Sequence, residues 1–243
     1  MEDEMRQVIR SATPKFMLSA YRTMRNLNRQ LLRNVYDRRN SDVVKALILD
    51  RFPDLAEAPH RGIVLDLGAN IGNFSHACVN LGFTVIAVEP HPQALNYLQQ
   101  RMKKEESVQI LAAGVSDMPG TCTLYTHSDH ENDPITTSIS ASIIGEKFQA
   151  KGTSFEIKLV SFDSLFENIP SFDLVKIDIE GAEMLLVDSI IKNAAGIKRL
   201  LIETHERFML ETNDAKEYKS AMLKLNNFIE SNDLNNHWLT DWI

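Results

Sequence analysis

Beyond residue 62, apolar positions occur in short runs rich in β-branched residues, and these runs alternate with segments whose apolar residues recur at intervals of three and four. The first pattern predicts buried strands and the second predicts amphipathic helices. Strands are predicted over residues 63–65, 83–88, 108–112, 121–125, 155–160, 172–179, 199–203 and 238–243, and helices over 71–81, 91–103, 182–191 and 214–230. This alternation predicts a mostly parallel, doubly wound α/β sheet with helices on both faces.

The beginning of the chain predicts a helical extension before this sheet. Residues 15–37 contain neither proline nor glycine, and their apolar residues form one helical stripe with arginines on the other side. A second helix is expected to start at Ser41 as its N-cap and to end near Phe52. We therefore predict two domains, over residues 1–60 and 61–243. Three roles remain open for the extension: a helix docked on the core, a dimer or substrate-lid element, or a helix on a membrane surface.

Composition and charge narrow the class of protein. Of the 243 residues, 44% are hydrophobic and 24% are charged, which fits one globular domain with a small appendage. The cysteines Cys78 and Cys122 lie in neither a metal-binding nor a redox spacing. No apolar run has the length of a membrane span, and the acidic N-terminus differs from a secretory signal, so we expect a cytoplasmic protein.

The net charge of −7 is unevenly distributed. Residues 1–40 carry nine basic and four acidic side chains, a local charge of +5, which leaves −12 for the rest of the chain. Because neutralisation of phosphates dominates the affinity of proteins for nucleic acids, the acidic body argues against nucleic acid as the main partner.

A glycine motif follows the first predicted strand. Asp66-Leu67-Gly68-Ala69-Asn70-Ile71-Gly72 places two glycines where the chain turns from strand to helix, and glycine lets the backbone approach a ligand closely. Glu89 ends the second strand, where a carboxylate can accept hydrogen bonds from ribose hydroxyls. The chain has neither the lysine of a phosphate-binding loop nor the glycines of a dinucleotide site. The carboxylate of Asp66 suits instead the cationic amino-acid end of S-adenosylmethionine.

Charged residues interrupt a later apolar run. Lys176 and Asp178 lie among the apolar residues of the strand predicted over 172–179, and an unpaired buried charge is costly. On that strand Lys176, Asp178 and Glu180 would share one face, and Glu183 would lie in the first turn of the next helix. Two interpretations remain open: a Lys–Asp ion pair with a helix-capping Glu183, or a functional site in which Asp178 faces a reacting group.

Five motifs together resemble the FkbM-type S-adenosylmethionine-dependent methyltransferases, over roughly residues 62–207. They are Asp66–Gly72, Glu89-Pro90-His91-Pro92, Val115-Ser116-Asp117, the segment Lys176–Glu183 and Ile202-Glu203-Thr204-His205. The resemblance implies a Rossmann-like class I sheet and methyl transfer, mostly to hydroxyl groups of polyketides, sugars and other glycan or small-molecule acceptors. The implied cofactor-binding residues are Asp66, Gly68, Ala69, Asn70, Gly72, Glu89, Pro90, Ser116, Asp117 and Asp178.

Two features depart from the family pattern. Ser116 stands where glycine is common, and the polar stretch over residues 127–152 is individual to this chain. A loop of that length within a compact domain is usually functional or disordered, and we expect it to help shape the acceptor site.

Methyl transfer from a sulfonium needs alignment of the reacting atoms and a base for the hydroxyl proton. The candidate catalytic residues are His205, Asp178 and Lys176, with His205 preferred as the base and Asp178 second; a structural role for His205 stays open, and His127 and His130 are further candidates. The carboxylates of Asp178, Glu180, Glu183 and Glu203 suit Mg²⁺ or Ca²⁺, but they lack a clear ligand spacing and we expect no metal.

The sequence therefore predicts an S-adenosylmethionine-dependent methyltransferase that acts on a hydroxyl of a sugar, glycan or other polar small molecule. The alternatives are an N-methyltransferase, an RNA methyltransferase and a non-catalytic S-adenosylmethionine-binding module. Asp178-Ile179-Glu180-Gly181 stands where an Asn-Pro-Pro-aromatic motif would indicate methylation of amino groups. A homodimer through the N-terminal helices is one possible assembly.

Overall fold

A computed structural model of the chain describes residues 41–57, 62–126, 141–144, 153–167 and 169–240. The chain divides into two compact units, residues 1–43 and 44–243, and almost all of the described residues belong to the second unit. The predicted helix over 15–37 lies outside the described residues, and so does most of the stretch 127–152 with both loop histidines.

Strands alternate with helices along most of the second unit. The described strands are β1 (Ile63–Leu67), β2 (Thr84–Val88), β3 (Val108–Leu111), β4 (Gly114–Ser116), β5 (Gly120–Tyr125), β6 (Ser154–Ser161), β7 (Leu174–Ile177), β8 (Leu200–Ile202) and β9 (Trp238–Thr240). The described helices are α1 (residues 41–51), α2 (Asn73–Val79), α3 (Pro92–Met102), α4 (Phe162–Glu167), α5 (Val187–Lys192), α6 (Glu206–Met209) and α7 (Ala215–Ser231). Short 3-10 helices cover Pro53–Ala56, Ala182–Leu186 and Ala194–Gly196.

Six strands form one parallel sheet in the order β3-β2-β1-β7-β8-β9. The chain therefore runs outward from β1 to β3, returns to the centre at β7 and continues outward on the other side. Between β1 and β7 the direction of winding reverses, and the carboxyl ends of the strands at such a switch point form a crevice for ligands. The predicted Rossmann-like, doubly wound α/β fold is confirmed.

Apolar side chains cover both faces of this sheet. On one face, residues such as Leu65, Val175 and Ile202 pack against α4, α5 and α7. On the other face, residues such as Val64 and Leu174 pack against α2 and α3, and residues 48–55 extend this second core. Because strand side chains alternate in direction, Asp66 and Lys176 lie on the same face as the second core.

A second, smaller sheet has the order β4-β6-β5, with β6 parallel to β4 and antiparallel to β5. The predicted strands over 121–125 and 155–160 are confirmed as β5 and β6. The three-residue strand β4 was not predicted from the sequence. The predicted last strand is confirmed as β9, which pairs in parallel with β8 at the edge of the large sheet.

Three local predictions are corrected by the structure. The strand predicted over 172–179 ends at Ile177, because the neighbouring strands β1 and β8 end at the residues that pair with it, Leu67 and Ile202. Asp178 and Glu180 therefore lie beyond the strand and not on one strand face with Lys176. The helix predicted over 182–191 is divided into a 3-10 helix and α5. Ser41 is itself helical and does not cap α1. No helix within the described residues has both the length and the apolar character of a membrane span.

Candidate active site

The predicted site residues meet at the carboxyl edge of the large sheet. Gly68 follows β1, Glu89 follows β2, Asp178 follows β7, and Glu203 and His205 follow β8. Parallel strands end at the same edge, so residues more than 100 positions apart in sequence lie around one crevice. The switch point between β1 and β7 places the glycine motif directly beside Asp178.

The turn after β1 requires glycine at position 68. Gly68 has a φ of +76°, and a Cβ atom there would lie 1.8 Å from the carbonyl oxygen of Asp178. The amides of Gly68 and Ala69 both donate to the Val88 carbonyl at 3.0 Å, which ties the turn to β2. The backbone of the motif therefore passes between the ends of β2 and β7 with no room for a side chain at its first glycine.

Glu89 connects this turn to the start of α3. Its Oε2 accepts a hydrogen bond from the Asn70 amide at 2.7 Å, and its Oε1 accepts one from the His91 amide at 2.7 Å. The side chain is 4% exposed, and burial raises the pKa of Glu89 to about 7, although the two backbone hydrogen bonds act in the opposite direction. Each oxygen retains a second lone pair, which suits the predicted contact with a ribose hydroxyl.

Lys176 is the cation at the centre of the site. Its Nζ lies 3.4 Å from Oδ1 of Asp66 and 3.3 Å from Oδ2 of Asp178, and it donates to the Gly68 carbonyl at 2.8 Å. Burial disfavours the charged ammonium, but the carboxylates of Asp178 and Asp66 outweigh this effect and raise the pKa of Lys176. These contacts hold the ammonium between the ends of β1 and β7, and a catalytic role for Lys176 stays a prediction.

Asp66 is fully buried beneath α2. Its Oδ2 accepts a hydrogen bond from Ser75 Oγ at 2.6 Å, and Oδ1 faces Lys176. The described contacts of this carboxylate are therefore with protein groups. The predicted contact of Asp66 with the amino-acid end of S-adenosylmethionine stays a prediction.

His205 lies between carboxylates on both sides of its ring. Nδ1 is 3.0 Å from Oε1 of Glu183, whereas Nε2 is 3.3 Å from Oε2 of Glu180 and 3.8 Å from Oδ1 of Asp178. The side chain is 7% exposed, and the His205 amide donates to the Tyr218 hydroxyl of α7 at 2.7 Å. The structure thus places the candidate base beside Asp178 and holds its backbone from α7.

The contact between Glu183 and His205 was not predicted from the sequence. One of the two interpretations of this segment made Glu183 a helix cap, and Glu183 does accept hydrogen bonds from the amides of Ile179 and Gly181 at 3.1 and 3.2 Å. No spacing pattern joins Glu183 to His205, because the two residues come together only through the pairing of β7 with β8.

Acidic groups crowd the end of β8. Burial, followed by the charge of Asp178, raises the pKa of Glu203 above its usual range. Asp178, Glu203 and His205 each offer one ligand atom within 4.8 Å of the others. Three such atoms are fewer than the six ligands that Mg²⁺ or Ca²⁺ prefers, and the charge of Asp178 is already neutralised by Lys176. Both observations favour a site without a metal ion, and the expectation of no metal stays a prediction.

The implied cofactor-binding residues Ser116 and Asp117 follow β3 in the sequence. Ser116 is buried in β4 and donates to Oδ1 of the exposed Asp117 at 2.8 Å. Pro90 lies between Glu89 and α3, where it is half-buried. Contact of these three residues with a cofactor stays a prediction.

Comparison with known proteins identifies relatives of the chain. Hexuronic acid methyltransferase AglP of Haloferax volcanii is 27% identical over 172 residues, which cover 69% of this chain and 63% of the relative. Methyltransferase 1 of Beauveria bassiana is 28% identical over 165 residues, which cover 58% of this chain and 63% of the relative. The chain thus matches less than two thirds of the length of either relative.

Comparison with solved structures gives partial matches to two proteins. A SAM-dependent methyltransferase from Agrobacterium tumefaciens is 11% identical with a TM-score of 0.28, and the match covers 58% of this chain and 30% of that chain. Fibrillarin of Aeropyrum pernix in complex with natively bound S-adenosyl-L-methionine is 12% identical with a TM-score of 0.36, and the match covers 69% of this chain and 56% of that chain.

A family match covers most of the site just described. Residues 66–233, from the end of β1 through α7, match the methyltransferase FkbM domain. The match includes the glycine turn, Glu89, the Lys176–Glu183 segment and His205, and it extends over more than half of the sequence. The chain therefore belongs to the family of FkbM-domain methyltransferases.

Proposed function

We propose that the protein transfers a methyl group from S-adenosylmethionine to a hydroxyl of a sugar, glycan or other polar small molecule. The observation that carries the proposal is the position of His205. A buried imidazole lies at the switch-point crevice, next to Asp178 and across β7 from the glycine turn. A protein that only bound a nucleotide would have no use for a proton acceptor in that place.

The crevice suits a positively charged ligand. Asp178, Glu180 and Glu203 are all partly exposed there, whereas the one described lysine among them is buried and paired with carboxylates. Opposite charges within a few ångströms stabilise each other, so a sulfonium and an α-ammonium group fit these surroundings better than a pyrophosphate. Glu89 at the end of β2 is the acceptor for the ribose hydroxyls.

In the proposed reaction the protein aligns the acceptor and removes its proton. S-adenosylmethionine supplies an electrophilic methyl group on a sulfonium that leaves as a neutral thioether. Nε2 of His205 takes the proton of the acceptor hydroxyl while the oxygen of that hydroxyl forms the new bond to the methyl carbon. The carboxylates of Glu180 and Glu183 then stabilise the imidazolium. Lys176 holds Asp178 and the turn at Gly68 in fixed relation, which keeps the two halves of the crevice aligned.

The class of acceptor rests on the relatives. AglP is named for methylation of a hexuronic acid, which supports a sugar acceptor for this chain. The position of the His205 imidazole supports a hydroxyl as the group that is methylated. A hydroxyl must lose its proton to a base during the reaction, whereas a neutral amine can attack without one.

Binding and turnover test the proposal separately. Calorimetry should show micromolar binding of S-adenosylmethionine and of its demethylated product. Incubation with a panel of sugars and glycans should yield a product 14 Da heavier by mass spectrometry. His205→Gln should reduce turnover by 100-fold or more and leave cofactor affinity unchanged, since a positioned base contributes about 10²–10⁴. His237→Gln, on an exposed histidine, is the control. Absence of cofactor binding, or normal turnover of His205→Gln, contradicts the proposal.

A further inference from the structure

Glu183 is a buried acid that acts in the proposed reaction only through its contact with His205. Its side chain is fully buried, and Oε1 makes three polar contacts: with Nδ1 of His205 at 3.0 Å, and with the amides of Ile179 and Gly181 at 3.1 and 3.2 Å. We propose that Glu183 is a positioning residue that holds His205 with a proton on Nδ1, so that Nε2 faces the crevice as the base. The inference rests on the proposed function.

The tautomer follows from the direction of the hydrogen bonds. Both backbone amides can only donate, so Oε1 of Glu183 is the acceptor in those two bonds. A carboxylate oxygen accepts from the imidazole as well, so the 3.0 Å contact with Glu183 requires a ring proton on Nδ1. Glu180 and Asp178 lie farther from Nε2, at 3.3 and 3.8 Å, which makes Nδ1 the better site for the single proton of a neutral ring. In a neutral imidazole one nitrogen carries the proton and the other carries the lone pair, so the lone pair of His205 is on Nε2. A hydrogen bond to a buried carboxylate also fixes the orientation of the ring.

The surroundings of Nε2 fit uptake of a proton. Glu180 and Asp178, from the turn after β7, lie 3.3 and 3.8 Å from Nε2. Glu203 lies at the end of β8, Lys176 of β7 offsets the charge of Asp178, and Tyr218 of α7 contacts the backbone of His205. Once Nε2 takes the acceptor proton, the imidazolium has carboxylates near both nitrogens, and the proton later leaves to solvent.

Glu183 has a second task that any test must separate from the first. The turn that it caps contains Glu180 and Gly181 with φ values of +60° and +102°, both in the left-handed region. A Cβ atom at Gly181 would lie 2.7 Å from Sδ of Met209. Loss of the carboxylate oxygens would therefore loosen a turn that is already conformationally restricted.

Glu183→Gln separates the two tasks, because glutamine keeps the shape and one oxygen for the amides but has no charge. Asp188→Asn removes an exposed charge on α5 nearby and is the matched control. In the 243-residue protein, ¹H–¹⁵N spectra of the histidine rings report which nitrogen of His205 carries the proton, and the His205→Gln spectrum identifies the signals. In the unsubstituted protein we expect a protonated Nδ1 and an unprotonated Nε2. In Glu183→Gln we expect the titration midpoint of this ring to move to lower pH by about one unit or more.

Kinetics and ring titration together decide between the outcomes. We expect Glu183→Gln to lower kcat at least tenfold, to shift the acid limb of the pH profile with the ring titration, and to leave KM, cofactor Kd and Tm close to those of Asp188→Asn. A ring titration and tautomer identical to those of the unsubstituted protein would show that Glu183 only caps the turn, even where His205→Gln is inactive, and would overturn this inference alone. Full activity of His205→Gln would overturn both this inference and the proposed base.

Discussion

Single residues in the site show how a fold keeps charges away from water. Asp66 is fully buried and Lys176 nearly so, yet their charged groups lie within 3.5 Å of each other. Removal of one partner of a buried ion pair costs several kcal/mol, because the other charge is left without compensation. Lys176 has a second carboxylate partner and a carbonyl of the glycine turn, so its loss would disturb both sides of the switch point.

Glu89 should make the free energy of unfolding depend on pH. Because the folded protein raises the pKa of Glu89 from 4.5 to about 7, the folded state binds more protons than the unfolded state between these values. Stability contributed by this group is therefore present at low pH and is lost as the pH rises toward 7. The shift corresponds to roughly 3 kcal/mol.

We expect Glu89→Gln to flatten this dependence. Urea unfolding between pH 5 and 8 should show a slope of stability against pH that is less negative in the variant, by up to about 1.4 kcal/mol per pH unit. The slope is the relevant quantity, since the glutamine amide also leaves one backbone donor without an acceptor and lowers stability at every pH. Glu156→Gln, on an exposed glutamate, should keep the original slope. Equal slopes in Glu89→Gln and the unsubstituted protein would disprove the assignment.

At the scale of the elements, the hydrophobic pattern predicted the strands and helices whose formation depends on residues close together in the sequence. The apolar runs predicted β1, β2 and β3, and amphipathic spacing predicted α3 and α7 within one or two residues at each end. β4 was missed because three residues carry too little pattern. Contact between Glu183 and His205 depends on the pairing of β7 with β8 and on the turn over residues 178–183, so it has no signal in sequence spacing.

The turn after β1 has a conformation at residue 68 that only glycine fits, and a substitution there tests its role. Gly68→Ala puts a Cβ atom against the Asp178 carbonyl and forces a side chain into the left-handed region, which alone costs about 1–2 kcal/mol. We expect this variant to lower Tm and to weaken binding of S-adenosylmethionine at least tenfold, as measured by calorimetry. Gly120→Ala, where a Cβ atom would meet nothing within 4 Å, is the matched control. Equal affinity in the two variants would show that this turn does not shape the ligand site.

At the scale of the whole molecule, the winding of the sheet accounts for the position of the site. The chain leaves β1 toward one edge and returns through β7 toward the other, so the turns after these two strands diverge and leave a crevice between them. Residues 68 and 178 are far apart in sequence, yet they are in direct contact because their strands are neighbours. The family match begins at residue 66, at the first of these two turns.

Apolar residues before β1 belong to the second core. Patterning predicted a boundary at residue 60, but Ile48, Phe52 and Leu55 are at most 3% exposed and pack with Val64 and Leu174 beneath the sheet. Burial of each such side chain contributes about 1.5–3 kcal/mol, and together they account for much of the 5–15 kcal/mol typical of a whole domain.

We therefore expect a chain of residues 44–243 to unfold cooperatively and to bind S-adenosylmethionine within about twofold of the 243-residue chain, since it keeps both cores and every candidate site residue. A chain of residues 62–243 should be strongly destabilised in urea. Phe52→Ala should reproduce part of this loss in the longer chain, whereas Asp50→Ala, on an exposed residue of the same segment, should not. Equal stability of the two truncated chains would instead place the boundary at residue 60, and the segment before it would then be an appendage and not part of the core.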